Sequence, residues 1–598
     1  MNYSNKDIAK QLKELAMYAQ LDGVNRFKIR AYKEAANTIE NYPTSIEKMV
    51  KNKQNLKQIP HIGKKIEKKI YQLINSGKIH ALERYRAKYP ASLLELLAIP
   101  GIGAKKAMIL YKKLNVNSLN SLQSALKSGE LNNLKGFGKK LIKHIQEGLT
   151  MLKQEGKRFL YANAKPYAKD IVEYMQKHPK VKKAIVAGSF RRKKESVGDL
   201  DLVVVCKKKD SSEVVEHFTK YNKLKDIITQ GSNRATIVLE NSLQIDLKVA
   251  QSSFYGATLS YFTGSKAHTL HIRKMAKEIG WKVSEYGIFK DETKLDKRSE
   301  KSFYKTLSLD FIEPELRELR GEFEAAKNHT LPKLLKQSDI KGDLHIHTNF
   351  SDGVESLENM VVAAYKKGYK YIAITDHSWH MPLLHGLDED RLLKQIEIID
   401  KLNQKYKNFK ILKGIEVDIL KDGSLALSDD LLEKLDIVVA SIHDYFNLSK
   451  IKQTNRIIKA MQNPNVNIIG HISGRLIQQR APYPLNYTKI FEVAKKESVA
   501  IEINSQPQRL DINDIYAKLA KEMGVKFAIN SDAHHIKCLD YIEYGVNQAR
   551  RGWLEKKDVI NTWGLKKLKE FLDKWQEQSH SELVSESYNI LTTSHPEL

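Results

Sequence analysis

Cysteine is nearly absent. The 598 residues hold two, Cys206 and Cys538, far apart in sequence. That excludes a disulfide framework and suits a reducing cytoplasm. Apolar runs of about 18 residues or more are also missing, so no membrane span is expected. The N-terminal run MNYSNKDIAKQLKEL carries charges where a signal peptide needs an apolar core, so secretion is not expected. Acidic residues are scarce in one half only. Residues 1–337 carry 65 Lys and Arg against 35 Asp and Glu, a net +30, whereas residues 338–598 carry 35 against 36, a net −1. A surplus confined to one half points to a polyanion partner for that half, most simply nucleic acid. Hydrophobic residues at 41% and charged residues at 29% read as soluble and globular. The length is too great for one hydrophobic core, and three or more folding units are expected.

The first 80 residues read as helical, with IAKQLKELAMYAQL and IRAYKEAANTIENY carrying apolar residues at helical spacing. A glycine turn followed by a basic helix then recurs three times: IPHIGKKIEKKI (59–70), IPGIGAKKAMIL (99–110) and LKGFGKKLIKHI (134–145). Such a turn can present backbone N–H groups at a helix N-terminus, which is an anion site. The three copies resemble the helix-hairpin-helix motif, which grips DNA phosphates without reading sequence. Gly63, Lys65, Gly101, Gly103, Lys105, Gly136 and Gly138 are the positions expected to meet DNA. His61 stands where the first glycine of the motif belongs. Histidine tolerates positive φ poorly, so the first hairpin is expected to bind phosphate less well.

Residues 188–205, GSFRRKKESVGDLDLVVV, carry the first chemistry. Asp199 and Asp201 are two apart in a strand-like run, so both project to one face. Asp246 in LQIDLKV can supply a third carboxylate from another strand. Three carboxylates can hold two Mg²⁺ ions about 4 Å apart, one for a 3′-hydroxyl and one for the leaving pyrophosphate. Gly188 and Ser189 can cradle phosphates, and Arg192 can neutralise triphosphate charge.

Residues 1 to about 320 resemble the family X DNA polymerases, the group that includes eukaryotic DNA polymerase beta. The resemblance rests on Gly188-Ser189, the Gly198-Asp199-x-Asp201 run, and YFTGSKAHTLHIR (261–273). It implies that Tyr261, Phe262 and Gly264 lie beside the incoming nucleotide and that Arg273 lies near the template strand. Two departures stand out. Thr269 replaces the asparagine usual at the base edge, and Gln244 replaces the arginine that in some relatives orients the metal carboxylates. The resemblance also makes Lys69 the match of a Schiff-base nucleophile that removes a 5′-deoxyribose phosphate. Lys28, Tyr32 and Lys65 would lie near the 5′-phosphate pocket. A basic helix gripping phosphate explains the same lysines without chemistry.

From about 338 the pattern changes. Seven strand candidates (DLHIHT, YIAITD, FKILKGIEV, DIVVASI, VNIIGH, VAIEINS and KFAINS) alternate with helices and suggest a β/α barrel. His345, His347, Asp352, His377, Glu416, His443, His471, Asp532 and His534 fall at or just past strand ends, which converge on the catalytic face of such a barrel. Nine such groups can bind up to three divalent ions. Asp376, Ser441 and Asp444 are the expected partners of the imidazoles. Arg475 is expected to hold a substrate phosphate. The motifs HIH-x4-D, TDH, GIEVD, SIHD, GH-x3-R and SDAHH resemble those of the PHP (polymerase and histidinol phosphatase) domain. The resemblance assigns His345, His347, Glu416 and Asp532 to one metal, Glu416, His443 and His471 to a second, and Asp352, His377 and His534 to a third.

The expected architecture is multidomain α/β. A helical gap-binding domain (1–80) and helix-hairpin-helix fingers (81–155) precede a nucleotidyltransferase palm (156–262) and thumb (263–320). A linker (321–337), a distorted (β/α)7 PHP barrel (338–573) and a disordered tail (574–598) follow. The resemblance implies a bacterial, cytoplasmic, nucleoid-associated monomer. It would fill gaps in gapped or nicked DNA from dNTPs with Mg²⁺, and digest 3′ ends with Mn²⁺ or Zn²⁺ in the barrel. AP endonuclease and 3′-phosphatase activity are further expectations for the barrel. The competing readings are a repair nuclease with an impaired polymerase site and a DNA-binding scaffold without catalysis.

Overall fold

A computed structural model describes residues 3–40, 42, 44–99, 102–134, 136–138, 141–142, 145–146, 158–380 and 384–573. Gly101 and the tail at 574–598 lie outside the described residues. The chain divides into two compact units, Met1–Arg158 with Val215–Leu247, and Phe159–Val214 with Lys248–Leu598.

In the first unit, Ser4 and Asp7 form a reciprocal capping box that starts the helix Asn5–Leu21. Ile8, Leu12, Leu15 and Ala19 recur at helical spacing on its buried face. Helices Arg26–Glu40, Lys64–Ser76, His80–Lys88 and Ala104–Leu114 follow. One apolar core runs from Ile8 to Ile145 and passes through position 80 without a break, through Ile79 and Leu82. Gly63 and Gly103 each stand as N-cap with no side-chain bond to the first turn. Added Cβ atoms at Gly63, Gly103 and Gly138 would meet open space. His61 adopts φ +67°, so the left-handed turn is kept despite the missing glycine. The same unit holds the antiparallel pair Leu224–Gln230 and Arg234–Leu239.

The second unit begins with the helix Tyr161–Gln176 and the antiparallel pair Lys183–Val186 and Asp199–Val205. Helices Tyr255–Thr263 and Lys266–Glu278 pack with Phe303, Tyr304 and Ile312 in a separate core. The segment expected as a linker carries the helix Glu322–Lys327 and buries Phe323, Ala326 and Leu334 in that core. Leu335 is buried in the next core along the chain.

Seven parallel strands follow: Gly342–Asp343, Tyr371–Ile374, Lys410–Asp418, Ile437–Ser441, Ile468–Ile469, Ala500–Asn504 and Phe527–Asn530. They pair in chain order, and a parallel bridge between Ile346 and Ala533 joins the two ends of the row. This is the seven-stranded α/β barrel expected from the sequence. Alternate strand residues fill its interior while Ile372, Ile374, Ile415 and Val417 pack outward against helices. Among the described residues no helix is long and apolar enough to cross a membrane.

Candidate metal centre and nucleotidyl-transfer site

The barrel mouth gathers the other eight ligand candidates around Glu416. This residue lies in the strand Lys410–Asp418 and is 1% exposed. Its Oε2 is 3.3 Å from His345 Nε2, 3.5 Å from His347 Nε2 and 3.0 Å from His377 Nδ1. Its Oε1 is 2.9 Å from His471 Nε2 and 3.5 Å from His443 Nε2. The two carboxylate oxygens therefore face two different sets of imidazoles. Asp532 Oδ1 lies 3.3 Å from His347 Nε2 and 3.9 Å from His345 Nε2. Asp352 Oδ2 lies 3.2 Å from His534 Nε2, and its Oδ1 lies 3.7 Å from His377 Nε2.

Three groups are tight enough to hold an ion: His345, His347 and Asp532; His377, Glu416 and His443; and His347, Asp352, His377 and His534. Compared with the sets implied by the resemblance, the first group lacks Glu416, the second has His377 where His471 was expected, and His347 joins the third. Buried ring nitrogens at His345 Nε2 and at both positions of His347 have no hydrogen-bond partner. Buried polar atoms are rarely left so unless something else binds there, and cation ligation fits these donors.

Charge in the mouth is tightly coupled. Burial would raise Glu416, but His345, His377 and His443 overcome it and hold the carboxyl well below its usual range. Asp532 behaves alike beside His345, His534 and His347. Burial opposes the charge on His443, yet Glu416 and Asp418 push the imidazole up to about 10. His534 is likewise raised to about 9 by Asp352 and Asp532, against burial. His347 goes the other way, to about 3, because burial and the neighbouring His534 and His377 disfavour its cation.

The imidazole partners differ from those expected. Glu502 Oε1 takes His345 Nδ1 at 2.8 Å, and Asp418 Oδ1 takes His443 Nδ1 at 2.8 Å. Asp376 instead accepts from Thr348 N, Thr348 Oγ1, Ser351 Oγ and Gln395 Nε2, which fixes the loop after His347. Ser441 Oγ has no hydrogen bond to an imidazole, and a Cβ at Gly470 would sit 2.2 Å from it. Asp444 pairs with Arg456 and His380. The sequence did carry the missed signal: Asp418 is two residues beyond Glu416 in one strand and so shares its face.

Arg475 is also corrected. Its guanidinium bonds Glu195 at 2.8 Å and the carbonyls of Arg509 and Leu510, so it is committed to protein groups rather than to a phosphate. Arg509, unremarked in the sequence, has Nε 3.8 Å from Asp532 Oδ2 at the metal cluster. Trp379 and Tyr445, each two residues past a candidate ligand histidine, keep exposed rings.

The nucleotidyl-transfer residues are less gathered. Asp199 and Asp201 lie at alternate positions of the strand Asp199–Val205, both half-buried. Gly188 takes φ +58°, and a Cβ there would sit 1.9 Å from Asp201 Oδ2, so only glycine fits. Ser189 follows in the short helix Gly188–Arg191, and Gly198 directly precedes Asp199. Tyr261 and Phe262 meet edge-on at 5.6 Å near the end of the helix that Gly264 terminates at φ +65°. Thr269 and Arg273 lie on the next helix, Thr269 half-buried and Arg273 exposed. Arg192 Nη1 donates to Thr263 O at 2.5 Å, and its Nε donates to Glu318 Oε1 at 3.1 Å.

Asp246 belongs to the first unit. There Thr236 Oγ1 donates to its Oδ1 at 2.5 Å and Gln244 Nε2 to its Oδ2 at 2.9 Å. Gln244 thus holds the carboxylate that an arginine orients in some relatives. Burial raises Asp246 against those two bonds.

In the first unit Lys69 Nζ lies 5.6 Å over the ring of buried Tyr32. Burial lowers the Lys69 pKa, and Lys28, Lys65, Lys68 and Arg84 lower it further. The structure thus brings Lys28, Tyr32, Lys65 and Lys69 together. Lys105 stands in the first turn of Ala104–Leu114.

Comparison with known proteins adds the following. Residues 3–79 match a helix-hairpin-helix domain, 93–150 a SAM-like helix-hairpin-helix tandem, 162–275 the DNA polymerase beta palm, 258–318 the DNA polymerase beta thumb and 343–506 the PHP domain. The chain is 38% identical over 571 residues to the DNA polymerase/3′-5′ exonuclease PolX of Bacillus subtilis, covering 95% of this chain and 99% of that protein. A probable phosphatase of a Thermoanaerobacter species is 35% identical over 241 residues, 38% of this chain and 93% of that protein. One from Clostridium acetobutylicum is 30% identical over 203 residues, 32% of this chain and 78% of that protein.

Proposed function

Because the chain belongs to the family X DNA polymerases that carry a C-terminal PHP domain, we propose that its two centres serve one task, the trimming and filling of short gaps in damaged DNA. The protein is a DNA polymerase with 3′-5′ exonuclease activity, and it depends on divalent metal. The observation that carries the joint reading is the pairing, in one chain, of Asp199 and Asp201 on one strand, Asp201 packed against Gly188, with a barrel mouth of His and carboxylate groups centred on Glu416.

Asp199, Asp201 and Asp246 would hold two Mg²⁺ ions, and the barrel ligands up to three of Mn²⁺ or Zn²⁺. When bound, such cations supply Lewis-acid chemistry, lowering the pKa of a hydroxyl and neutralising charge on phosphate oxygens. Ser189 and Arg192 hold the triphosphate, while Tyr261 and Phe262 crowd the sugar and discourage a 2′-hydroxyl. Thr269 and Arg273 meet the base edge and the template. In the barrel, Glu502 and Asp418 hold Nδ1 of His345 and His443, which leaves Nε2 of each turned toward Glu416 to ligate a cation.

Residues 1–80 would hold the 5′-phosphate side of a gap, with Lys69 the nucleophile toward a 5′-deoxyribose phosphate. The hairpins of 81–155 would grip the duplex through Gly101, Gly103, Lys105, Gly136 and Gly138. The palm and thumb (156–320) would fill the gap and the barrel (338–573) trim its 3′ end. In this reading the protein acts as a cytoplasmic monomer at the nucleoid. Trimming can extend to AP sites and 3′-phosphates.

The test is a one-nucleotide-gap duplex with a 5′-phosphate, incubated with Mg²⁺ or Mn²⁺, with and without dNTPs. Extension by one nucleotide with dNTPs and 3′ shortening without them are expected. A protein that shortens but never extends would be a nuclease with an impaired polymerase site. One that does neither would be a scaffold.

A further inference from the structure

A group of charged side chains lies buried where the nuclease barrel meets the nucleotide-binding turn, both within the second unit. Arg551 ends the helix Ile542–Arg551 of the barrel and is 2% exposed. Its Nη2 donates to Asp514 Oδ2 at 2.5 Å, a residue that also takes Arg320 Nη2 at 2.9 Å. Its Nη1 donates to Glu318 Oε1 at 3.1 Å and to the Arg192 carbonyl at 2.7 Å. Glu318 Oε1 in turn accepts from Arg192 Nε. One barrel arginine therefore fixes both the backbone of Arg192 and the carboxylate that orients its guanidinium.

Stability alone explains this arrangement poorly. Buried ion pairs gain little over apolar residues of the same volume, because desolvation offsets their attraction. What they do supply is direction. A guanidinium has five N–H donors in a rigid fork. The bonds to Glu318 and to Thr263 O use two of them and set the plane of the group. Glu318 itself, which burial would raise, is held down to about 2 by Arg551, Lys194, Arg192 and Arg320, so it stays anionic at any working pH.

We propose that Arg551 is a positioning residue of the polymerase site: the nuclease barrel, through Glu318, sets the Arg192 guanidinium in place for the triphosphate of the incoming nucleotide. The inference rests on the polymerase reading above and goes beyond it, since it makes the barrel part of nucleotide binding. The metal ligands at the mouth take no part.

The test uses full-length R551M and R551K with single-nucleotide gap filling in Mg²⁺ at saturating DNA and varied dNTP. Mn²⁺-dependent digestion of single-stranded DNA is measured beside it. R551M should raise the KM for dNTP about tenfold while kcat changes less than about twofold, the signature of binding lost equally in the ground and transition states. R551K keeps the charge but not the fork, and should fall between R551M and the parent chain. Digestion should hold at the parent rate in both. An unchanged KM in R551M overturns the proposal. So does an equal loss of both activities in R551M with R551K at the parent KM, which marks a purely structural role. If R551M does not fold, R551K decides alone, and a parent KM there overturns the proposal. A parent chain that fills no gap removes the polymerase reading itself, and this inference with it.

Discussion

The barrel mouth and the nucleotidyl-transfer site solve the same problem, gathering ligands for cations, in opposite ways. All nine candidate ligands of the barrel come from one unit, from or just past the ends of neighbouring parallel strands, and most are almost fully buried. Glu502 and Asp418 lock two of the imidazoles from behind. The polymerase carboxylates are fewer and half-buried at Asp199 and Asp201, and Asp246 belongs to the other unit. A closed sheet delivers its ligands with the fold, whereas the transfer site relies on single close approaches such as Gly188 against Asp201. The two are not independent bodies, however, since Asp199 and Asp201 share a unit with the barrel.

The largest effects should come from substitutions that separate the two sites. Glu416→Ala removes the carboxylate whose two oxygens face both imidazole sets. It should cut 3′ digestion by about a hundredfold or more and lower the bound-metal count by at least one, with gap filling retained. Asp199→Ala should do the reverse, abolishing extension and sparing digestion. Metal analysis and the two assays run side by side check both. Digestion at the parent rate in Glu416→Ala would place the nuclease elsewhere.

A second-tier effect sharpens the contrast in preorganisation. Asp418→Asn keeps the shape beside His443 but weakens its hold on Nδ1. Metal affinity of the barrel should fall about tenfold or more, read by competition with a chelator, while gap filling in Mg²⁺ stays put. Equal affinity in the two proteins would show that the imidazole needs no partner.

The pH dependence of the metal-stripped protein tests the charge coupling. His443 at about 10 and His534 at about 9 both lie above the ordinary imidazole value of 6.5. Their contribution to stability is full below pH 6.5 and is lost as pH rises through 9 to 10. The thermal midpoint should therefore drop between pH 7 and pH 10. Metal uptake at pH 7 should release protons, since a ligating imidazole must give its proton up. A flat midpoint with no proton release in weak buffer would mean the imidazoles are already neutral.

The smallest effect concerns the basic half. Lys65→Ala and Lys105→Ala each remove one cation from the first turn of a glycine-capped helix. Each should flatten the slope of log K against log salt for gapped DNA by about one, with no change in digestion of free single strands. An unaltered slope would take that lysine off the phosphate backbone.

Much of this protein was legible in one dimension because the signals are local or periodic. The glycine turns show as spacing, and the seven strands as short apolar runs between helical ones. The nine candidate ligands show because each stands in or after a strand whose end the barrel must bring to one face. Gly188 could be singled out from sequence, but its reason is a contact with Asp201 thirteen positions away. Partner choice was not legible. Arg475 reads as a phosphate clamp beside its histidine motif, yet it closes on Glu195, far off in sequence. Asp376 reads as an imidazole partner, yet it ties down the loop after His347, and Glu502 from a distant strand takes His345 instead. The chain's pattern decides which groups reach the mouth, since side-chain direction follows from backbone period. Which of them pair, and that a barrel arginine at 551 should steer an arginine at 192, depends on distances between segments hundreds of residues apart. Only packing sets those.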